Sequence, residues 1–69
     1  MTIVRIDDPH KFVCMEINEA KTEITAHGYE CRIMYLNGRT IHMGLKPDYD
    51  PLRVNVWVEK GVVIKATIG

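Results

Sequence analysis

The architecture of this 69-residue chain is set by one stretch, Leu52-Arg53-Val54-Asn55-Val56-Trp57-Val58-Glu59. Its even-numbered positions are all apolar, and three of its four odd-numbered positions are polar or charged. A period of two predicts a β-strand with one face in the core and the other toward solvent. Trp57 is the exception on the polar face. Two interpretations are open: the ring anchors a partner, or it packs under a loop or the N-terminal arm.

Further strands are predicted on both sides of this one. Lys60-Gly61 has the composition of a tight turn, so residues 62–68 are predicted to return as an antiparallel partner strand. Upstream, residues 31–36 are apolar on both faces apart from Arg32, which indicates a mostly buried strand over residues 29–36. Residues 2–6 are predicted to form a short strand or an extended arm that ends before Pro9.

Residues 16–27 are predicted to form the single helix. Ile17, Ala20 and Ile24 recur at spacings of three and four, which places them on one helical face. Gly28 follows as a stop signal, whereas Glu16 is a poor residue for the N-terminal cap. The predicted fold class is therefore α+β: one helix packed on a small mixed β-sheet with an exposed binding loop, in a single domain over residues 1–69.

Residues 37–51 are the candidate binding loop, because they hold two glycines, two prolines and two aspartates with little periodicity. A loop of this length in so small a domain is usually functional or disordered. A second interpretation is also open. Asn37-Gly38 is a type I′ turn signal, so residues 39–43 could return as a strand and shorten the loop to residues 44–51. Both interpretations leave residues 45–49 exposed.

The composition argues against several classes of partner. Nine basic residues balance nine acidic ones, so no clustered positive charge is predicted to bind nucleic acid or an anionic membrane. The chain has no apolar run long enough to span a membrane and no N-terminal leader pattern. The sequence as written is therefore expected in the cytoplasm, with a secreted mature form as the alternative.

No enzyme, metal site or cofactor is predicted. Cys14 and Cys31 lack the close spacing of zinc ligands, and two buried thiols are favoured over a bridge between them. His10, His27 and His42 fall on separate elements without ligand spacing. The chain has no serine, its threonines lack a neighbouring base, and its helix glutamates trace a solvated face. We therefore expect no catalytic residues.

The segment that follows the loop, Asp48-Tyr49-Asp50-Pro51-Leu52-Arg53-Val54-Asn55-Val56, resembles a known pattern. It is similar to the acidic-aromatic start and the Arg-containing strand of the potato inhibitor I family of serine-protease inhibitors, including its short microbial relatives. The order of helix, buried strand, loop, amphipathic strand, turn and closing strand is similar too. The resemblance covers residues 13–69.

The resemblance implies a function and a set of site residues. A rigid loop would enter the active site of a serine protease as a substrate does, through the residues Gly44, Leu45, Lys46, Pro47, Asp48 and Tyr49. Arg53 and Asn55 would support that loop from the strand beneath it, with a charge-assisted contact from Arg53 to Asp48. The scissile bond would lie between Pro47 and Asp48. The protein would act as a monomer or a weak dimer.

A second function is compatible with the same sequence. A non-inhibitory interaction module of this fold would bind a regulatory protein through the loop or a sheet edge. Loop rigidity separates the two functions, because inhibition requires a segment that is already extended and fixed before docking.

Overall fold

A computed structural model describes residues 3–41 and 49–69 of the chain. One α-helix packs on a four-stranded mixed sheet, which confirms the predicted α+β class. In chain order the elements are a 3₁₀ helix over Pro9–Phe12, helix α1 over Ile17–Ala26, and the strands β1 over Glu30–Leu36, β2 over Arg39–Thr40, β3 over Arg53–Glu59 and β4 over Val62–Ile68.

The strands lie in the order β2-β1-β3-β4. The central strands β1 and β3 run parallel, with Glu30 opposite Arg53, whereas the two outer pairs are antiparallel. The parallel pairing forces the chain between β1 and β3 to cross from one end of the sheet to the other. Residues 44–49, the candidate binding segment, belong to this connection.

Two tight turns close the antiparallel pairs at the same end of the sheet. Asn37-Gly38 and Lys60-Gly61 both have positive φ at their two residues, as type I′ turns require. The predicted β3–β4 hairpin is confirmed, and the open hairpin interpretation at Asn37-Gly38 is confirmed as far as Thr40. The side-chain oxygen of Asn37 accepts a hydrogen bond of 2.7 Å from the Lys60 amide, which ties the turns together.

The core lies between α1 and one face of the sheet. Val54, Val56 and Val58 are fully buried there, as the alternation predicts. Ala20 and Ile24 of α1 cover them. Leu52 was predicted on the same face but is 39% exposed, because β3 begins one residue later and Leu52 belongs to the preceding turn.

Helix α1 is capped by Glu16, although glutamate is a poor residue for this position. The Glu16 carboxylate accepts a hydrogen bond of 3.0 Å from the Glu19 amide, so its longer side chain reaches the position that Asp or Ser usually fills. The helix begins at Ile17 and ends at Ala26, one residue inside the predicted bounds at each end. His27 forms the C-cap.

Residues 3–6 form an extended arm rather than a strand. Val4 donates its amide to the His27 carbonyl at 3.0 Å, and the Ile6 amide donates to the Tyr29 hydroxyl at 3.1 Å. The sequence did not predict the 3₁₀ helix that follows. Its last residue, Phe12, is fully buried beside β4 and closes that end of the core.

Candidate functional site

The candidate binding segment begins and ends at fixed points of the sheet. On its N-terminal side, the Ile41 amide donates to the Met34 carbonyl at 2.9 Å, one residue beyond β2. On its C-terminal side the chain is described again from Tyr49. The other predicted contact residues lie outside the described residues: Gly44, Leu45, Lys46, Pro47 and Asp48. The predicted contact from Arg53 to Asp48 lies outside them too.

A turn at Asp50 carries the chain into β3. The Asp50 carboxylate accepts from the Leu52 amide at 2.9 Å, and its carbonyl accepts from the Arg53 amide at 3.2 Å. The Leu52 carbonyl accepts in turn from the Glu30 amide at 2.8 Å, at the start of β1. Because Pro51 also restricts the backbone, three successive residues are fixed where the segment joins the sheet.

Gly69 forms several of the hydrogen bonds at this end of the site. Its carbonyl oxygen accepts from the guanidinium of Arg53, through Nε at 3.1 Å and also through a terminal nitrogen. It accepts from the Asp50 amide as well, at 3.3 Å. The Gly69 amide donates back to the Arg53 carbonyl at 2.9 Å. One carbonyl therefore links the end of β4, the start of β3 and Asp50, the residue that follows the candidate segment.

Arg53 is deeply buried for an arginine, with 6% of its surface exposed. A buried guanidinium needs acceptors for its donors, and the Gly69 carbonyl meets part of that need. The family resemblance implied that Arg53 would support the loop. The described contacts show it supporting the residue after the segment, Asp50, through the carbonyl that both of them share.

Tyr49 and Asn55 both lie next to Gly69. A Cβ added to Gly69 would lie 3.4 Å from the Tyr49 ring and 3.6 Å from the Asn55 amide nitrogen. Tyr49 is 76% exposed, whereas Asn55 is half-buried. The structure therefore brings three predicted site residues, Tyr49, Arg53 and Asn55, around one glycine. Sequence reasoning missed Gly69, because no local pattern marks a carbonyl as a long-range acceptor.

A groove opens beside Tyr49, between the N-terminal arm and the turn that leads into β3. Its volume is about 510 Å³. Its walls expose polar and apolar surface in nearly equal parts, and the exposed Arg5–Asp7 ion pair belongs to its lining. Residues that line it include Ile3, Ile6, Tyr29, Leu52 and Ile68. Aromatic side chains are enriched at protein-binding surfaces, which are of mixed polarity as a whole.

The polar face of the sheet carries Trp57, which is half-buried. The Lys65 ammonium lies 4.7 Å from the centre of its ring, at the distance of a cation–π contact. Trp57 faces Lys65 across the β3–β4 pair, so the neighbouring strand supplies this contact.

The two cysteines are free thiols in different environments. Cys31 is half-buried on β1, and burial raises the pKa of its thiol. Cys14 is exposed, so the expectation of two buried thiols is wrong for this residue. Its backbone lies in the left-handed region, with a φ of 75°, where its amide reaches the Val63 carbonyl at 2.7 Å. This turn directs the side chain outward.

Within residues 3–41 and 49–69, no three side chains of His, Cys, Asp or Glu come together in a way that could hold a metal ion. In the same residues, no helix has the length and apolar character needed to cross a bilayer.

Comparisons of this chain with protein-family models, with curated proteins and with solved structures find no match.

Proposed function

We propose that this protein is a serine-protease inhibitor of the potato inhibitor I type, which presents residues 44–49 to its target as a substrate-like segment. The observation that carries the proposal is the shared Gly69 carbonyl. Arg53 of β3 and the amide of Asp50, the residue that follows the segment, both donate to that oxygen. A segment whose end is fixed in advance loses less conformational entropy on docking, which is the basis of tight inhibition by a short loop.

The sheet topology supports the same proposal. The segment joins two parallel strands, and both of its flanks are hydrogen-bonded to the central strand β1, through Met34 on one side and through Glu30 on the other. If a protease cut between these flanks, both new ends would stay attached to one sheet. Resynthesis of the bond would then compete with release of the fragments.

The test is inhibition of a panel of trypsin-, chymotrypsin-, elastase- and subtilisin-like proteases by the purified protein. We expect tight inhibition of at least one member. Arg53→Ala should raise the inhibition constant at least about tenfold, which corresponds to about 1.4 kcal/mol of lost preorganisation. Arg39→Ala is the matched control, because Arg39 is an exposed arginine of β2 and lies outside this cluster.

Two further results keep this test decisive. Circular dichroism must show that Arg53→Ala is folded at the assay temperature, and Arg53→Lys provides a milder variant that keeps the charge but loses the paired donors. Steady digestion of the folded wild-type protein by every protease, with no inhibition, would contradict the proposal.

One observation favours a second function, that of a non-inhibitory interaction module. Tyr49 and the groove beside it form a surface that does not require a scissile bond. In that case Tyr49→Ala would abolish binding of the partner, while the wild-type protein would inhibit no protease. Under the inhibitor proposal, Tyr49→Ala weakens inhibition without changing the bond that the protease attacks.

A further inference from the structure

Within the described residues, the outer edge of β1 has no strand partner along the first four of its seven residues. Strand β2 pairs only with Tyr35 and Leu36, and the Ile41 amide extends the contact to Met34. Among residues 3–41 and 49–69, no strand pairs with the outer side of β1 from Glu30 to Ile33. An unpaired strand edge is a template for another β-strand.

The hydrogen-bonding groups on this edge follow from the parallel pairing. The Glu30 amide donates to Leu52, so the main chain of Glu30 faces β3. In an extended strand, alternate residues direct their amide and carbonyl to opposite sides. The main-chain groups of Cys31 and Ile33 therefore face outward. A groove of about 460 Å³ runs beside them, and Ile41, at its border, is 44% exposed.

The charges along this edge are self-complementary. Glu30 and Arg32 flank Cys31 on the opposite face of the strand, and neither side chain forms an ion pair within the described residues. If a second copy pairs antiparallel about Cys31, Glu30 of each copy lies opposite Arg32 of the other. Opposite charges at directly facing positions stabilise an antiparallel pair. The same symmetry repeats the contact, so two ion pairs form.

We propose that the outer edge of β1, from Glu30 to Ile33, is a dimerisation edge. A second copy of this chain adds its own β1 edge in antiparallel register about Cys31, and the two sheets join into one. The two Cys31 residues exchange the central pair of main-chain hydrogen bonds. This inference does not depend on protease inhibition.

The opposite edge of the sheet is less suited to such pairing. The first part of β4 is already covered, because Val63 donates to the Met15 carbonyl at 2.9 Å and accepts from the Cys14 amide. Farther along, self-pairing about Ala66 would set Lys65 opposite Thr67 of the second copy, which offers no charge attraction. A lysine on an edge strand also disfavours strand addition. The charge pattern thus favours β1 over β4.

The experiment is sedimentation equilibrium over a concentration series from about 1 µM to about 1 mM, in low salt. Since few residues pair, we expect a weak dimer whose mass approaches twice 7.9 kDa toward the upper end of the series. Glu30→Arg and Arg32→Glu each set like charges opposite one another, so each variant alone should be monomeric. A wild-type protein that stays monomeric throughout the series overturns the proposal.

Mixing the two single variants provides the decisive test. A molecule with Glu30→Arg carries arginine at both positions, and one with Arg32→Glu carries glutamate at both. Only the mixed pair has opposite charges at both contacts, so an equimolar mixture should restore the dimer. The double variant Glu30→Arg/Arg32→Glu should also dimerise with itself. Failure of both to restore association overturns the charge register, and so does a single variant that stays as dimeric as the wild type.

Amide exchange identifies the edge. On raising the concentration into the dimer range, the Cys31 amide should exchange at least about tenfold more slowly, while the Ala66 amide on β4 should not change. A Cys31 amide that is already fully protected in the dilute monomer would show that the chain covers this edge itself. Protection of Ala66 instead would assign association to β4. Either result overturns the proposal.

Discussion

Arg53 and Gly69 hold each other from both sides, because the guanidinium of Arg53 donates to the Gly69 carbonyl while the Gly69 amide donates to the Arg53 carbonyl. The side-chain contact and the main-chain contact therefore join the same two residues. The contact between the end of β4 and the start of β3 therefore depends on one buried arginine. This leads to the first prediction.

Arg53→Ala should lower the free energy of unfolding by about 2 kcal/mol, since the Gly69 carbonyl loses charge-assisted donors in a buried setting. In a domain of this size, that loss lowers the melting temperature by roughly 8–16 °C. Thermal and urea unfolding followed by circular dichroism measure it. Arg39→Ala should change stability by less than about 0.5 kcal/mol. Equal effects from the two variants would contradict the assigned role of Arg53.

Glu16→Ala should destabilise the protein by about 1 kcal/mol, because the Glu19 amide loses its acceptor at the start of α1. Glu16→Gln is the matched control, as its amide oxygen can still accept that hydrogen bond. We expect Glu16→Gln to retain most of the stability in urea unfolding. If both variants lose the same stability, charge rather than capping is responsible.

Gly28→Ala should lower the free energy of unfolding more than Gly61→Ala does, although both glycines have similar positive φ values of 86° and 76°. A Cβ at Gly28 would lie 3.1 Å from Ile3 of the N-terminal arm, whereas nothing lies within 4 Å of one at Gly61. The backbone strain, of about 1 kcal/mol, is therefore common to both variants. The difference between their free energies of unfolding, measured in urea, reports the contact with the N-terminal arm. Faster amide exchange at Val4 in Gly28→Ala alone is the accompanying result.

Alkylation should separate the two thiols. We expect iodoacetamide to modify exposed Cys14 first, because the thiolate is the reactive form and burial raises the pKa of Cys31. Since a raised pKa keeps Cys31 protonated, the rate of its modification in the native protein should increase only at a pH above the ordinary pKa of a thiol. Mass spectrometry of peptides from timed reactions measures both rates. Urea should remove the difference, and its persistence in unfolded protein would contradict burial as the cause.

The sequence predicted well where local patterns determine structure. Val54, Val56 and Val58 alternate cleanly, so their burial followed from periodicity alone. The turns at Asn37-Gly38 and Lys60-Gly61 were marked by residues that tolerate positive φ. These features need no knowledge of distant contacts.

Contacts between distant residues explain what the sequence did not predict. Glu16 is a weak cap by general preference, yet its carboxylate accepts from the Glu19 amide, and its backbone forms a bridge to the distant Val62. Cys14 was expected to be buried from its apolar neighbours, but a left-handed backbone turns it outward. The role of Gly69 in the candidate site arises only when the end of β4 meets the start of β3.

The parallel pairing of β1 with β3 also bears on how the chain folds. Both hairpins close over two-residue turns, whereas the central pair forms only after residues 37–52 have brought their ends together. Loop closure is an entropic barrier that grows slowly with length, by about 0.6 kcal/mol for each doubling. Changing the length of this connection should therefore alter the folding rate more than the stability. The connection can thus vary in length while the same sheet is kept.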